Sequence, residues 1–327
     1  MQRERTPPRH FLSSGLSRRA LLGGLAALPF AARAATASGA APVIVATTGM
    51  IADLARTLTG GPVQALMGPG MDPHSYRPTR SDILALSRAD ILLHHGLHLE
   101  AQFTDILAEL APKKTVLAVA ESIPKDLLLS DPAYTDRPDP HVWFDPTLWQ
   151  HAGKAVAATL TQAGFDTAAT SEGFAATATA LDAYARDTLA TVPEQARVLV
   201  TAHDAFEYFG RAYGWQVEGI QGISTDSEAG LARIAELVDL LVTRDIQAVF
   251  VESSVSDRAM QALIEGAAAR DHYVAIGGEL FSDAMGPDTT YEGTWPGMID
   301  HNITTIARAL GGTAPERGMQ GKLNAGT

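Results

Sequence analysis

Short apolar runs alternate with longer stretches of helical periodicity along this chain, and the alternation occurs in two series. The apolar runs predict strands at residues 43–47, 63–67, 91–94 and 115–119, and again at 198–201, 216–220, 248–252 and 273–276. The longer stretches predict helices at residues 79–89, 97–110, 146–163, 205–213, 228–243, 257–269 and 295–310. Strands that alternate with helices form mostly parallel sheets flanked by helices. We therefore expect an α/β protein with two lobes.

A long alanine-rich stretch at residues 172–189 separates the two series and ends before Pro193. We expect it to be the helix that connects the lobes. The expected organisation is an export signal at 1–34, an N-terminal lobe at 42–166, a connecting helix at 167–193, a C-terminal lobe at 194–312 and a loose tail at 313–327.

The first 34 residues have the composition of an export signal. Arginines precede an apolar stretch at 20–30, and Ala32-Arg33-Ala34 resembles a cleavage site. The apolar stretch is too short to span a bilayer. The segment 17–22, with the sequence SRRALL, resembles a twin-arginine signal, which we favour over an ordinary Sec signal. We expect a soluble mature protein outside the cytoplasm that begins near Ala35.

Charge and cysteine content exclude several classes of function. The chain has 327 residues and a net charge of −12; residues 1–34 hold six arginines and one glutamate, so their removal takes the charge to −17. Strong acidity argues against nucleic acids and anionic lipids as partners. The sequence has no cysteine, which excludes disulfides, thiolate metal sites, cysteine nucleophiles and a lipid anchor on an N-terminal cysteine.

Three histidines stand out as candidate metal ligands. His74 and His141 each end an Asp-Pro-His tripeptide, and His203 follows the apolar run at 198–201. Proline restricts the backbone on both sides of itself, so each tripeptide presents its imidazole stiffly. Histidine is the commonest metal ligand, and ligands of open α/β sheets bind beyond the carboxyl ends of strands. A shared site would lie in the cleft between the lobes.

A fourth ligand is expected from the glycine-containing loop at 277–283. Metal sites of this kind need about four converging groups. Glu279 and Asp283 are both carboxylates in this loop, and their chemistry alone does not choose between them.

Five segments in this order resemble a known family: DPHSY at 72–76, DPHVW at 139–143, AHDAF at 202–206, FVESS at 250–254 and GGELFSD at 277–283. They resemble the metal-binding receptors of manganese/zinc ABC importers, the TroA/ZnuA-type periplasmic solute-binding proteins, and are closest to TroA-like members.

The resemblance implies two lobes joined by a rigid helix, with one metal ion between them. It implies the ligands His74, His141, His203 and Asp283, and leaves Glu279 a supporting role. It also implies a periplasmic, monomeric protein whose partners are an ABC permease and its ATPase.

The identity of the metal follows less directly. Many zinc-selective relatives carry a histidine-rich loop where residues 125–140 stand, and some manganese-selective relatives carry glutamate where His203 stands; this chain has neither. Three imidazoles and one carboxylate suit zinc well. We expect zinc slightly ahead of manganese, with ferrous iron third.

Two other functions would use the same residues. One is a secreted metal-dependent hydrolase with an open coordination position and Glu279 or Glu252 as general base; the other is a metal-binding adhesin or metallochaperone. The sequence has no G-x-S-x-G, Walker A or H-E-x-x-H motif. We therefore predict a binding protein and not an enzyme.

Several polar residues near these motifs have simpler expected roles. Asp72, Asp139, Asp204 and Glu252 are candidates to orient the ligands from behind. His94, His95 and His98 are expected to pack or to line the cleft, in preference to a role in metal entry. Residues 224–228, with the sequence STDSE, are expected to cap the helix that follows them.

Overall fold

Four parallel strands form the sheet of the first lobe in this computed structural model, which describes residues 41–131 and 134–324. In the order β2–β1–β3–β4, the strands are β2 (Gln64–Ala65), β1 (Ile44–Ala46), β3 (Ile91–His94) and β4 (Thr115–Ala118). The register places Val45 beside Leu92 and Leu93 beside Leu117. The central strands β1 and β3 are apolar and almost fully buried, as expected where both faces of a parallel sheet are covered.

The helices of the first lobe are α1 (Gly49–Thr59), α2 (Arg80–Arg88), α3 (Thr104–Leu110) and α4 (Pro146–Gln162). α2 begins with a capping box: Thr79 accepts from the backbone of Asp82, whose carboxylate accepts from the backbone of Thr79. At α4, the Asp145 carboxylate caps the first turn and proline occupies its first position.

The helix predicted at 97–110 begins later than expected. Gly96, Leu97 and His98 all have left-handed backbone conformations, with φ of 83°, 52° and 64°. A helix cannot continue through such residues. A 3₁₀ turn follows at Ala101–Phe103, and α3 begins only at Thr104.

Residues 125–140 are not a plain loop. They contain a 3₁₀ turn at Lys125–Leu127 and a short antiparallel pair, β5 (Ser130–Asp131) with β6 (Tyr134–Pro138). Apolar periodicity is absent from this segment, which explains why the sequence pattern misses the pair.

The second lobe is built on four parallel strands. They are β7 (Val198–His203), β8 (Gln216–Gln221), β9 (Ala248–Glu252) and β10 (Ala275–Leu280). β7 pairs with β8, β9 pairs with β10, and β7 lies beside β9. The helices are α6 (Glu207–Tyr213), α7 (Leu231–Arg244), α8 (Arg258–Ala268) and α9 (Trp295–Ala309).

The last strand differs from the predicted strand at 273–276. β10 continues to Leu280, with a bulge between Ile276 and Gly278. Glu279 therefore pairs with Val251 inside the strand and its side chain is exposed. The two glycines interrupt the apolar pattern, but they permit a bulge rather than ending the strand.

The long helix α5 (Ala168–Leu189) follows α4 and packs against α4 and α9. Gly153 of α4 allows the ring of Phe174 to approach closely: a Cβ at Gly153 would lie 2.4 Å from Phe174 Cε1. Trp295 of α9 contacts the same ring. The helix thus shares one apolar core with both lobes, while the lobe boundaries proposed above remain predictions.

One expectation about the second lobe is wrong. Residues 224–228 do not cap α7, because the helix begins at Leu231 after Gly230 and has no side-chain cap. The described part of the tail, up to Asn324, is packed: Leu323 is fully buried and the backbone of Asn324 donates to Glu292.

The export signal predicted at 1–34 lies outside the described residues. Within residues 41–131 and 134–324, no helix combines the length and apolar character needed to cross a membrane.

Candidate metal centre

His74, His141, His203 and Asp283 meet at one point between the two lobes. Each offers a donor atom, and these four atoms all lie within 4.8 Å of one another. The side chains are 0–4% exposed. Two come from loops of the first lobe, one ends a strand of the second lobe and one follows a strand there, so the group exists only where the lobes meet.

His74 is positioned by its own loop. The Asp72 carboxylate accepts from the His74 backbone N–H at 2.9 Å and from the Ser75 hydroxyl at 2.7 Å. This Asx turn, with Pro73 between the two residues, fixes the backbone under the imidazole. Asp72 therefore orients His74 through the main chain and not through the ring.

His141 is held at its far nitrogen. Asp139 Oδ1 lies 2.7 Å from His141 Nδ1 and also accepts from the His141 backbone N–H at 2.9 Å. A carboxylate on Nδ1 fixes the ring and leaves Nε2 facing the other three side chains. The His141 Nε2 atom lies 3.3 Å from that of His74 and 3.4 Å from that of His203.

His203 ends β7, and a carboxylate of the adjacent strand holds it. Glu252 Oε2 lies 2.5 Å from His203 Nδ1, and Oε1 accepts from the His203 backbone N–H at 2.8 Å. Because β7 and β9 are neighbours, residues at their carboxyl ends meet. Glu252 thus has the same relation to His203 as Asp139 has to His141.

Asp283 lies three residues beyond β10 and is 3% exposed. Its Oδ1 faces His141 Nε2 at 3.3 Å, and its Oδ2 faces His203 Nε2 at 3.2 Å. Neither oxygen forms a hydrogen bond of ordinary geometry with the described residues. A fully buried carboxylate without such partners, facing three imidazoles, is a donor set that a divalent cation would satisfy.

Three buried contacts, two of them between the lobes, support the site. The Trp143 indole N–H donates to the Ser282 carbonyl, next to Asp283, at 3.1 Å. The Tyr208 hydroxyl donates to the Asp139 carbonyl at 2.8 Å. The fully buried His95 has its Nε2 2.6 Å from the Pro140 carbonyl. These residues fix the loop of His141 from three sides.

The pKa values of the candidate histidine ligands are shifted in different directions. Burial lowers the pKa of His74 to about 4 despite the nearby Asp283 carboxylate. Burial also disfavours a charged His141, but the Asp139 and Asp283 carboxylates raise its pKa to about 9.

His203 and Asp283 follow the same logic. Burial opposes charge on His203, but the Glu252 and Asp283 carboxylates raise its pKa well above the usual range. Burial would raise the pKa of Asp283, yet the positive charge of His203 and contacts with the imidazoles hold it well below its usual value. A cation bound at this site would therefore compete with protons for His141 and His203.

The other polar residues predicted near the site divide into two groups. Asp139 and Glu252 form the expected bonds to the imidazoles, whereas the Asp204 carboxylate forms none, and its Oδ1 is buried without a partner. Glu279 is exposed, and its backbone carbonyl accepts from His301.

His94 and His98 line a surface cavity of about 350 Å³ beside α3, away from the four-residue site. Sequence reasoning missed the support given by Trp143, Tyr208 and His95. Trp143 lies two residues after His141, so its position near the site could be expected from the sequence. Nothing in the sequence shows that its indole donates to the Ser282 carbonyl.

A two-lobed α/β fold with a buried donor set at the seam of its lobes is typical of substrate-binding proteins. Comparison with known families supports this class: the profile of the periplasmic zinc-uptake complex component A, ZnuA, matches residues 44–309. The chain belongs to this family, the metal-binding substrate-binding proteins of manganese/zinc ABC importers.

Individual relatives agree. The chain is 47% identical over 274 residues to the manganese-binding lipoprotein MntA of Bacillus subtilis, covering 82% of this chain and 89% of MntA. It is 44% identical over 289 residues to the zinc-binding protein TroA of Treponema pallidum, covering 86% and 92%. The solved structure of that periplasmic TroA superposes with a TM-score of 0.77 at 43% identity, covering 83% of this chain and 99% of TroA. The comparisons confirm the predicted family and two-lobed fold, and they give no support to the hydrolase alternative.

Proposed function

We propose that this protein captures one divalent transition metal ion between its lobes, through His74, His141, His203 and Asp283, and delivers it to an ABC importer. The observation that carries the proposal is the convergence of four buried donor atoms within 4.8 Å of one another. Carboxylates of Asp139 and Glu252 orient two of the imidazoles in the manner typical of metal sites.

The proposed cargo is zinc slightly ahead of manganese, with ferrous iron third. A donor set of three nitrogens and one carboxylate favours zinc, and zinc also outranks manganese in intrinsic affinity at most such sites. Relatives of similar identity are named for each metal, manganese for MntA and zinc for TroA. Availability in the cell therefore contributes to the choice as well.

Four protein donors would close the coordination sphere of zinc, whereas catalytic zinc keeps an open position for water or substrate. The protein would therefore bind and release its ion without catalysis. Its partners would be a permease and an ATPase of the importer, and it would act as a monomer.

We place the mature protein in the periplasm. Several relatives are named as lipoproteins. A soluble protein exported by the twin-arginine route remains our expectation.

Replacing His141 by alanine tests the proposed site. Purified protein is freed of metal and titrated with zinc and manganese by competition calorimetry, and thermal melts are recorded with and without metal. We expect a loss of affinity larger than the roughly 10–100-fold typical of an orienting partner, and loss of the metal-dependent rise in Tm.

His151→Ala is the matched control, because His151 lies half-buried on α4, away from the four donors. It should bind as the wild type does. Unchanged affinity in His141→Ala would remove this residue from the site, and a wild-type protein that binds neither metal would refute the proposed function.

A further inference from the structure

One hydrogen bond crosses between the lobes directly beside His74. The Thr225 hydroxyl, in the second lobe, donates to Asp72 Oδ2, in the first lobe, at 2.6 Å. The same carboxylate accepts from the His74 backbone N–H and the Ser75 hydroxyl. A single side chain thus holds both the loop of a candidate ligand and the opposite lobe.

Thr225 lies in the connection at 222–230, between β8 and α7. This connection starts next to the site, since Gln221 of β8 pairs with His203 of β7. Among the described hydrogen bonds, residues 223–229 form only two: a local bond from the Asp226 N–H to Ser224 Oγ, and the bond from Thr225 to Asp72. The Thr225 hydroxyl is therefore the polar attachment of this segment to the rest of the protein.

The loop that carries Asp72 also approaches the second lobe at Gly70. Gly70 has a left-handed backbone, with φ of 71°, and a Cβ there would lie 3.5 Å from the Ser253 carbonyl oxygen. Ser253 directly follows Glu252, the residue that holds His203. The loop at 68–72 therefore meets the ends of both β8 and β9 along the seam above the site.

We propose that the hydrogen bond between Thr225 and Asp72 is a latch that keeps the lobes closed over the bound ion and slows its release. The inference rests on the proposed function, and it assigns a task to residues that do not touch the metal. All four donors are buried, so an ion can leave only after the seam opens. Opening there separates Thr225 from a carboxylate, and hydrogen bonds to charged groups are among the stronger ones.

The latch acts on the balance between closed and open forms. A contact present only in the closed form shifts the population toward it by the free energy of that contact. An ion can leave only from the open form, so removing the latch should raise the dissociation rate.

Dissociation rates of Thr225 variants test the latch. Zinc-loaded protein is mixed with excess chelator in a stopped-flow instrument, and association is followed separately. Thr225→Val keeps the shape and removes the hydroxyl, and we expect roughly tenfold faster release. Thr225→Ser keeps the hydroxyl and should release at the wild-type rate. Ser224→Ala, which removes the neighbouring hydroxyl that bonds only locally, is the matched control.

A double-mutant comparison shows whether the effect passes through Asp72. In an Asp72→Ala background, Thr225→Val should accelerate release no further. An equal acceleration in both backgrounds would overturn the latch, and so would an unchanged release rate in the single variant. Either result leaves zinc binding by the wild type intact, whereas absence of that binding would refute the proposed function itself.

Discussion

Glu252 offers a sharp test of how the carboxylates behind the imidazoles control metal binding. Its two oxygens accept from two donors of His203, the backbone N–H at 2.8 Å and the ring Nδ1 at 2.5 Å. Glutamine in this position has one acceptor oxygen and one NH₂ group. If glutamine keeps the geometry of Glu252, one of the two His203 donors faces the NH₂ group, and the negative charge is lost.

The size of the effect follows from the geometry. Outer partners of metal-bound histidines typically contribute 10–100-fold in affinity, which is about 1.4–2.8 kcal/mol. Both side chains are fully buried, so water cannot replace the lost hydrogen bond. We expect a loss toward the upper end of that range.

The same substitution changes the number of protons released on binding. Burial lowers the pKa of His203, and the carboxylates of Glu252 and Asp283 raise it well above the usual value. Without Glu252 the pKa falls, so fewer protons are displaced and protons compete less with the metal. The affinity deficit of the variant should therefore grow as pH rises toward the region where His203 of the wild type is neutral.

Calorimetric zinc titrations in buffers of different ionisation enthalpy measure both quantities. Glu265→Gln, an exposed carboxylate on α8, is the matched control and should leave affinity and proton release unchanged. If Glu252→Gln keeps both the wild-type affinity and the wild-type proton count, the carboxylate does not hold a protonated His203, and the reasoning fails.

Three further predictions concern the pH dependence of metal affinity, the pH dependence of stability, and packing. Burial opposes charge on His141 but its neighbouring carboxylates raise its pKa to about 9, so metal affinity should begin to fall below about pH 9 and not only near pH 6.5; affinity that is flat between pH 9 and pH 6 would contradict this. The raised pKa of His141 also means that its protonated form stabilises the folded, metal-free protein. This protein should therefore lose stability as pH rises through about 9, and denaturant titrations at several pH values measure the loss. Gly153→Ala should destabilise by about 1–3 kcal/mol, because the new Cβ would lie 2.4 Å from the Phe174 ring. Gly173→Ala on α5, where an added Cβ would have no neighbour within 4 Å outside its own stretch of helix, should be neutral or stabilising. Thermal melts of both variants measure this, and equal effects of the two would refute the packing argument.

Much of the fold was predictable because buried parallel strands are continuous apolar runs. The strands at 91–94 and 248–252 have the predicted bounds, and the capping box at Thr79 begins the helix where the motif indicates. The pattern failed where backbone conformation overrides side-chain character. Three left-handed residues delay α3, and glycines that suggested a loop instead form a bulge inside β10.

The candidate site was predictable in its residue types and less so in its geometry. The stiff Asp-Pro-His segments and the histidine that ends β7 indicated three imidazoles, and the structure brings them together. The sequence pattern did not show whether Glu279 or Asp283 is the fourth ligand, and the family resemblance implied Asp283. The structure places Asp283 among the imidazoles and Glu279 on the surface, because β10 continues past the predicted end. That these residues bind the metal remains a prediction.

For the segment at 224–228, the local sequence pattern predicted the wrong role. Its hydroxyl and carboxylate residues have the composition of a helix cap, and local sequence offers no other partner. In the folded protein α7 begins beyond it, and Thr225 reaches a carboxylate 153 positions away in the chain. A local rule failed there because a more distant acceptor satisfies the same hydroxyl.

By itself, the sequence determined the alternating elements, the family, and the kinds of side chain that could hold a cation. Those properties depend on local periodicity and on short rigid motifs, which a linear chain displays. Only the tertiary structure decided that four buried donors face one point, that Asp139 and Glu252 hold two of them, and that Thr225 joins the lobes beside the site. These depend on residues far apart in the chain, and their distances are set when the two lobes pack against each other.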